Sequence, residues 1–472
     1  MPTTSPRRAG EAQVSPRPTS RWIVLLPILV GPFLVVLDGF ALNIALPSIQ
    51  NGLRASDAAL QLVVAGYAVA YGACLVTGGR LGDIYGQKTV LLVGLVAFSL
   101  TSLLGALAPN QYVLVGARFL QGVAAAVLYP QTLALVRLNF QDGDLDRALS
   151  IFGITLGVAA VVAQLAGGLL VQADVGNLTW RPILMINVPI CAVAGVLAAA
   201  LVPGSGISGP ARLDMTGLTM ATAALAMFVL PLVVGRQLVW PLWTWPALGL
   251  SGLILLQFVR YELRLVDRGG SPLIALEPFK VRGFVIGLVV TLLFYAAEIP
   301  FFLVLTLYLQ RGLRLSPLAA GLTFVPLAVG FAVASLTNRA WHALLGRHAL
   351  PACAWWVVAC MFSLAVLVLR HGEGRAQTLA LASSMLAMGL GLGTFIPSLL
   401  TAILRTLPAL HAGSGAGVLV TAQQVGGAVG VALLGLVFFG LQPTAAAFAA
   451  AVGCGAVLFG AAALLVRTMD EG

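Results

Sequence analysis

Charge is what this sequence has least of. Of 472 residues only 9% are Asp, Glu, Lys or Arg, whereas 60% are hydrophobic. A water-soluble chain covers its surface with about 25% charged residues. A soluble globular protein is therefore excluded, and a surface facing lipid is indicated. Histidine is scarce too, and its four copies fall in or beside loops. The five cysteines, Cys74, Cys191, Cys353, Cys360 and Cys454, lie inside apolar stretches with neither metal-ligand spacing nor a disulfide framework. They read as small apolar packing residues. The pattern holds no metal cluster, nucleophile constellation or phosphate-binding loop, so no enzyme, metal or cofactor is expected. The net charge of +10 comes from basic residues scattered through short loops. That distribution encodes membrane topology rather than a nucleic-acid surface.

What is present is apolar runs. About 20 apolar residues cross a hydrocarbon core. Measured that way, the sequence predicts fourteen spans, near 22–46, 58–79, 88–108, 112–136, 148–172, 182–202, 214–235, 243–260, 283–309, 316–337, 349–369, 376–404, 412–440 and 444–466. Residues 1–21, rich in Pro, Ser and Thr with four arginines, read as a disordered tail. The run behind them lacks a small-residue cleavage site and reads as a retained span, not a signal peptide. With the N-terminus in the cytoplasm, eighteen Lys and Arg fall on the inner side and seven on the outer. The bias places both termini inside, in a bacterial inner membrane. Trp240, Trp243 and Trp245 in the external turn between spans seven and eight fit an interfacial aromatic belt.

The spans repeat. Ala163-Gln164-x-x-Gly167-Gly168 in span five matches Ala422-Gln423-x-x-Gly426-Gly427 in span thirteen, 259 positions on. Gly86-Gln87-Lys88 after span two is echoed by Gly346-Arg347-His348 after span ten, 260 positions on. The near-equal offset implies an all-α polytopic fold of two six-helix bundles, related by a pseudo-twofold along the membrane normal, with two inserted central helices. The expected divisions are a tail at 1–21, a bundle at 22–202, connections and two extra spans at 203–280, a second bundle at 281–467 and a tail at 468–472. Parallel repeats with a site at their interface are a transporter architecture.

Three charges stand in mid-span: Asp38, Arg118 and Glu298. A charge there costs a few kcal/mol or more, so it faces a partner or a wet cavity and is a functional candidate. Counted from the outer ends of their spans, Asp38 and Arg118 differ in depth by about 3 Å, so they can pair. One reading is a pair that only fastens spans one and four together. Glu298 lies 260 positions after Asp38, the repeat offset, and has no evident basic partner. Desolvation acts against the charged form of a carboxyl, a property that proton carriers use.

Gly79-Arg80-Leu81-Gly82-Asp83-Ile84-Tyr85-Gly86-Gln87-Lys88 resembles the signature loop of the major facilitator superfamily. Leu37-Asp38 with Asn43-x-Ala45-Leu46-Pro47 is similar to the span-one motif of its fourteen-helix drug:proton antiporter branch. Arg118-Phe119-Leu120-Gln121-Gly122 resembles the span-four motif, and Tyr308-Leu309-Gln310 with Ser316-Pro317 and Ala320-Gly321-Leu322 the turn between spans nine and ten. The span-five motif departs: Ala163-Gln164 stands where Gly-Pro is usual, although Gly153, Gly157, Gly167 and Gly168 persist. Losing Pro removes a kink, and helix packing explains the four glycines equally well. The second-half loop also lacks an acid, with Ala343 where Asp83 would repeat.

The resemblance implies a gating loop of Gly79, Leu81, Asp83, Gly86 and Lys88, with glycine-rich turns letting spans two and three approach and Asp83 set against span thirteen. It implies that Arg118 tunes the proton affinity of Asp38. Proton coupling would then run through Asp38, Glu298 and Arg118. Gln121, Gln164, Tyr295 and Gln423 are candidate cavity residues, as are Phe294, Phe301 and Phe302, for which core packing is the competing reading. The expected activity is export of small amphipathic drugs or antibiotics by alternating access, driven by protons. Proton-coupled uptake of a polar metabolite and a non-transporting membrane receptor stay open. The expected partners are a small-molecule substrate, protons and the bilayer, with no nucleic acid, and the expected state is a monomer.

Overall fold

Inside a bilayer each backbone N–H and C=O must be satisfied within the chain, so the apolar runs become helices. The structure, a computed structural model, describes residues 18–140, 142–204, 214–235, 238–268, 270, 272–273, 277–370, 375–406, 412–441 and 445–469. Among them there is no strand. The first bundle comprises α1 (Pro18–Leu53), α2 (Asp57–Tyr85), α3 (Gln87–Ala106), α4 (Gln111–Asn139), α5 (Asp142–Ala173) and a broken sixth span of α6 (Arg181–Met185) and α7 (Asn187–Leu201). Next come α8 (Met215–Val234) and α9 (Thr244–Asp267). The second bundle comprises α10 (Arg282–Leu307), a broken span of α11 (Pro317–Thr323) and α12 (Val325–Leu345), then α13 (Ala349–Arg370), α14 (Arg375–Arg405), α15 (Ala412–Gly440) and α16 (Ala445–Val466). Residues 1–17 of the expected N-terminal tail and 470–472 of the C-terminal one lie outside the described residues, while Pro18 to Arg21 already belong to α1.

Among the described residues thirteen spans are long and apolar enough to cross a membrane, one fewer than the runs predict. The difference is α9. Its 24 residues reach about 36 Å, ample for a core of about 30 Å. Its second half, however, carries Gln257, Arg260, Glu262 and Arg264. It lies along α8, with Ser251 donating to the Ala224 carbonyl at 2.8 Å. At the α8–α9 turn Trp240 stacks on Trp245 with centroids 5.7 Å apart, and Trp243 and Trp245 are exposed.

The repeat is visible in the packing. In the first bundle α2 packs on α4, α1 on α5 and α3 on α7; in the second α12 packs on α14, α10 on α15 and α13 on α16. Span for span these are the same three pairings. A glycine presses each fifth span onto the first, at different depths in the two bundles: a Cβ on Gly167 would meet the Ala41 carbonyl at 2.9 Å, and one on Gly426 the Leu292 carbonyl at 2.5 Å. Two glycines of the loop motif work differently from expectation. Gly79 and Gly82 bring α2 against Pro130 and Gln131 of α4, while Gly86, at φ 84°, makes the one-residue turn from α2 into α3. A Cβ on Gly78 would stand 2.0 Å from the Ala126 carbonyl, and Gln131 donates to the Gly78 carbonyl at 2.7 Å.

Gly78→Ala should therefore cost stability on the scale of overpacking, about 1–3 kcal/mol, because the obstacle is backbone. Gly153→Ala should cost little, since a Cβ there meets nothing within 4 Å. Thermal unfolding of the two variants in detergent checks the contrast, and equal midpoints would contradict it.

Candidate functional site

Asp38 and Arg118 meet in an ion pair through Oδ2 and Nη1. They are 1% and 2% exposed. Oδ1 of the same carboxylate accepts from Gln121 Nε2 at 3.0 Å and from Asn187 Nδ2 at 2.9 Å. Ser102 Oγ receives the same two amides, at 2.7 and 3.2 Å. Arg118 also donates Nη1 to Gln121 Oε1 at 2.5 Å and Nε to the Val63 carbonyl at 3.3 Å. Its guanidinium lies 4.3 Å from the centroid of the Tyr67 ring. Side chains from α1, α2, α3, α4 and α7 thus enclose one carboxylate, which accepts from three side-chain donors. Gln121, expected in the cavity, is instead spent on this network and is 1% exposed.

The break between α6 and α7 positions Asn187, which opens α7. Asn187, Ser102 and Tyr67 carry no charge and went unnoticed in the sequence. The available signal was an amide within an apolar run, since a buried amide demands partners.

Glu298 is different. It sits on α10 one turn from Phe294 and one turn from Phe302, half-buried, with no hydrogen bond or ion pair among the described residues. The faces on either side are occupied. Phe294 packs on Phe395 and Phe459 inside the second bundle, and Phe302 packs on Phe40 of α1 at 4.8 Å. Phe294, Phe301 and Phe302 are therefore core or seam residues rather than cavity residues. Tyr295 is half-buried and within electrostatic range of both Glu298 and Tyr129 of α4, across the seam.

The seam between bundles is closed at one end. There Gln310 Nε2 donates to the Ile44 carbonyl at 2.7 Å, and Arg311 faces Asp57 at 3.5 Å. A Cβ on Gly168 would meet the Pro317 carbonyl at 2.8 Å, and one on Gly321 the Gln164 carbonyl at 2.5 Å. Gln164 is thereby part of the seam, its Oε1 buried without a partner among the described residues. Gly153, Gly157, Gln164 and Gly168 form a single stripe on α5 at 100° per residue. That stripe touches α11 at Gln164 and Gly168, yet Gly153 and Gly157 face open space. Helix packing, the expectation for those two glycines, does not hold in this conformation, since no described residue comes within 4 Å of a Cβ at either. Gln423 on α15 is half-buried, next to Gln424, whose Cβ lies 2.8 Å from a Cβ placed on Gly72.

Of the loop motif, Lys88 Nζ donates to the Ala199 carbonyl at the end of α7, at 2.8 Å, and Arg80 donates to the Pro272 carbonyl. Gly79 lies against Pro130 and Leu81 is half-buried. The side chain of Asp83 lies outside what is described, as do the side chains at the start of α15, the span it was expected to meet.

Two charged groups at equivalent places in parallel bundles, beside a seam open at one end, match an alternating-access carrier. The Major Facilitator Superfamily profile matches residues 28–431. The chain belongs to that superfamily. It is 35% identical over 444 residues to a probable actinorhodin transporter of Streptomyces coelicolor, covering 93% of this chain and 76% of that protein. It is 37% identical to a puromycin resistance protein of Streptomyces alboniger, covering 89% and 82%. A crystal structure of a peptide transporter with sulfate superposes with a TM-score of 0.69 over 96% of this chain and 94% of that one, at 17% identity; that likeness concerns the fold alone. This facilitator is a polytopic membrane transporter of small molecules, not an enzyme.

Arg118→Ala should lower folded yield more than the double change Arg118→Ala with Asp38→Asn. Stranding one buried charge costs about 3–5 kcal/mol, whereas removing both strands none. Equal yields by fluorescence size-exclusion chromatography would show that the pair does not hold the bundle.

Proposed function

We propose that this facilitator exports small amphipathic, antibiotic-like molecules in exchange for protons, and that Glu298 is the group that takes up and releases the proton. The observation that carries this reading is the contrast between two equivalent acids. Asp38 accepts from Arg118, Gln121 and Asn187 in a sealed network. Protonating it would require one of those donors to be given up. Glu298 is half-buried beside the seam, with no cation paired to it among the described residues. A carboxyl so placed can exchange a proton as its surroundings open and close. Asp38 and Arg118 then act as the fixed part of the coupling machinery, maintaining the first bundle as a rigid body.

The antibiotic-like substrate class rests on the names of the two relatives, each similar over most of the chain. Tyr295 and Tyr129, with Tyr71 6.2 Å from Tyr129 between centroids, offer flat surfaces with polar edges to an amphipathic ring system. With both termini in the cytoplasm, as the Lys and Arg distribution favours, the closed end is external and this conformer opens inward. In that state a substrate enters from the cytoplasm. No cofactor is needed for such exchange, and one chain holds both bundles, so we take the working unit to be a monomer in a bacterial inner membrane.

Everted membrane vesicles with a pH-sensitive dye test the reading. Substrate should release protons from energised vesicles carrying the unmodified protein. Glu298→Gln should abolish substrate-induced proton movement while leaving substrate binding largely intact, and Glu298→Asp should keep coupling with a displaced pH optimum. Full pH-driven transport by Glu298→Gln would remove Glu298 from the coupling role.

Asp57→Asn should loosen the closed end. Exposed ion pairs are worth about 0.2–1 kcal/mol, enough to shift a balanced equilibrium several-fold without unfolding the protein. Accessibility of a cysteine introduced at Gly39, where a side chain meets nothing within 4 Å, should change in Asp57→Asn. Unchanged accessibility would mean the pair does not set the equilibrium.

A further inference from the structure

The α8–α9 hairpin supplies no residue to the site above. α8 packs on α2 and α15, and α9 packs on α8, leaving the far face of α9 directed away from the protein. That face is unusual. Where it borders α8 lies an open apolar groove of about 350 Å³, lined by Met220 and Ala223 of α8 and Leu253 and Ile254 of α9, with Thr219 and Gln257 at one end. Just past Gln257, Arg260, Arg264 and Arg268 follow at i, i+4 and i+8 on one side of α9, all three exposed. None of their side chains makes an ion pair or hydrogen bond with a described residue. The nearby acids are engaged or turned elsewhere. Asp214 caps α8 at Gly217 and accepts from the Tyr261 hydroxyl, both at 2.8 Å. Glu262 is buried between the helices, and Asp267 is exposed without an ion pair to these arginines.

We propose that this face binds an anionic phospholipid, its phosphate on Arg260, Arg264 and Arg268 and one acyl chain in the α8–α9 groove. Guanidinium groups match phosphate oxygens in bidentate geometry. Basic clusters at a membrane surface attract anionic headgroups. The apolar groove opens at the same end as the arginines, so one amphipathic molecule satisfies both, whereas free phosphate would leave the groove unused. A lipid partner also accounts for an α9 that is less apolar than its neighbours: its polar end lies at headgroup depth.

The full-length protein, incubated with phosphatidylglycerol or phosphatidylcholine and released from mild detergent in a native mass spectrometer, gives the test. Phosphatidylglycerol should be retained in preference to phosphatidylcholine and should survive an excess of inorganic phosphate. Changing Arg260, Arg264 and Arg268 together to Gln should lower phosphatidylglycerol retention roughly tenfold or more, given the contribution of each basic residue near a headgroup surface. Leu253→Trp, which fills the groove and keeps every charge, should lower it as well, and decides the matter if the triple variant does not fold. Equal retention of the two lipids, or retention unaffected by either variant, would overturn the proposal. Displacement by inorganic phosphate would make the arginines an anion site that no lipid occupies.

Discussion

The ion pair between Asp38 and Arg118 is the interaction that organises the first bundle. Neither partner could remain alone at that depth, because an unpaired charge in hydrocarbon costs several kcal/mol. Pairing them satisfies the charge but not the remaining lone pairs and protons, and a buried pair is worth keeping only when those are satisfied too. Gln121, Asn187, Ser102, the Val63 carbonyl and the face of Tyr67 complete the shell. These groups come from α2, α3, α4 and α7, so the pair specifies how those helices assemble with α1. The break between α6 and α7 belongs to the same requirement, since it places Asn187 at the carboxylate.

The second bundle has the same pairing of spans but no such centre. At the repeat offset from Asp38 stands Glu298, longer by one methylene and without a basic partner among the described residues, while an aromatic group of Phe294, Phe395 and Phe459 fills the bundle beside it. Aromatic packing holds helices together without polar accounting, so the acid is left over. The two halves therefore share a backbone plan and differ in which interaction binds it. An ion pair with its polar shell thus ties the helices of one half, and aromatic packing those of the other.

Much of the fold was legible because lipid simplifies the code: apolar runs of sufficient length must be helices, and the 259-residue echo of Ala-Gln-x-x-Gly-Gly located the repeat. The three mid-span charges were legible for the same reason, as costly exceptions. What escaped was the uncharged part of the network. Ser102, Tyr67 and Asn187 are common enough residue types in apolar helices that only geometry distinguishes a member of the Asp38–Arg118 network from a group bonded to its own backbone. Of the loop-motif glycines, Gly86 makes the expected turn into α3, whereas Gly79 and Gly82 face α4, since small residues announce close approach without saying to which neighbour. Gln121 misled for a further reason: a polar side chain in a span can face a cavity or a buried charge, and the sequence is the same.

The stripe on α5 shows how one helix can serve two conformations. Gln164 and Gly168 meet α11 with backbone almost in contact, while Gly153 and Gly157, two to four turns away on the same line, meet nothing. If the bundles rocked so that the closed end parted, the other end of this stripe would approach its partner, and only small residues there allow a seam as tight as the one now formed. A large side chain at Gly153 or Gly157 would spare the present conformation and obstruct the alternative one. The empty space before these two glycines is where such a motion would bring α5 against its partner, a use for their small size that the packing seen does not supply.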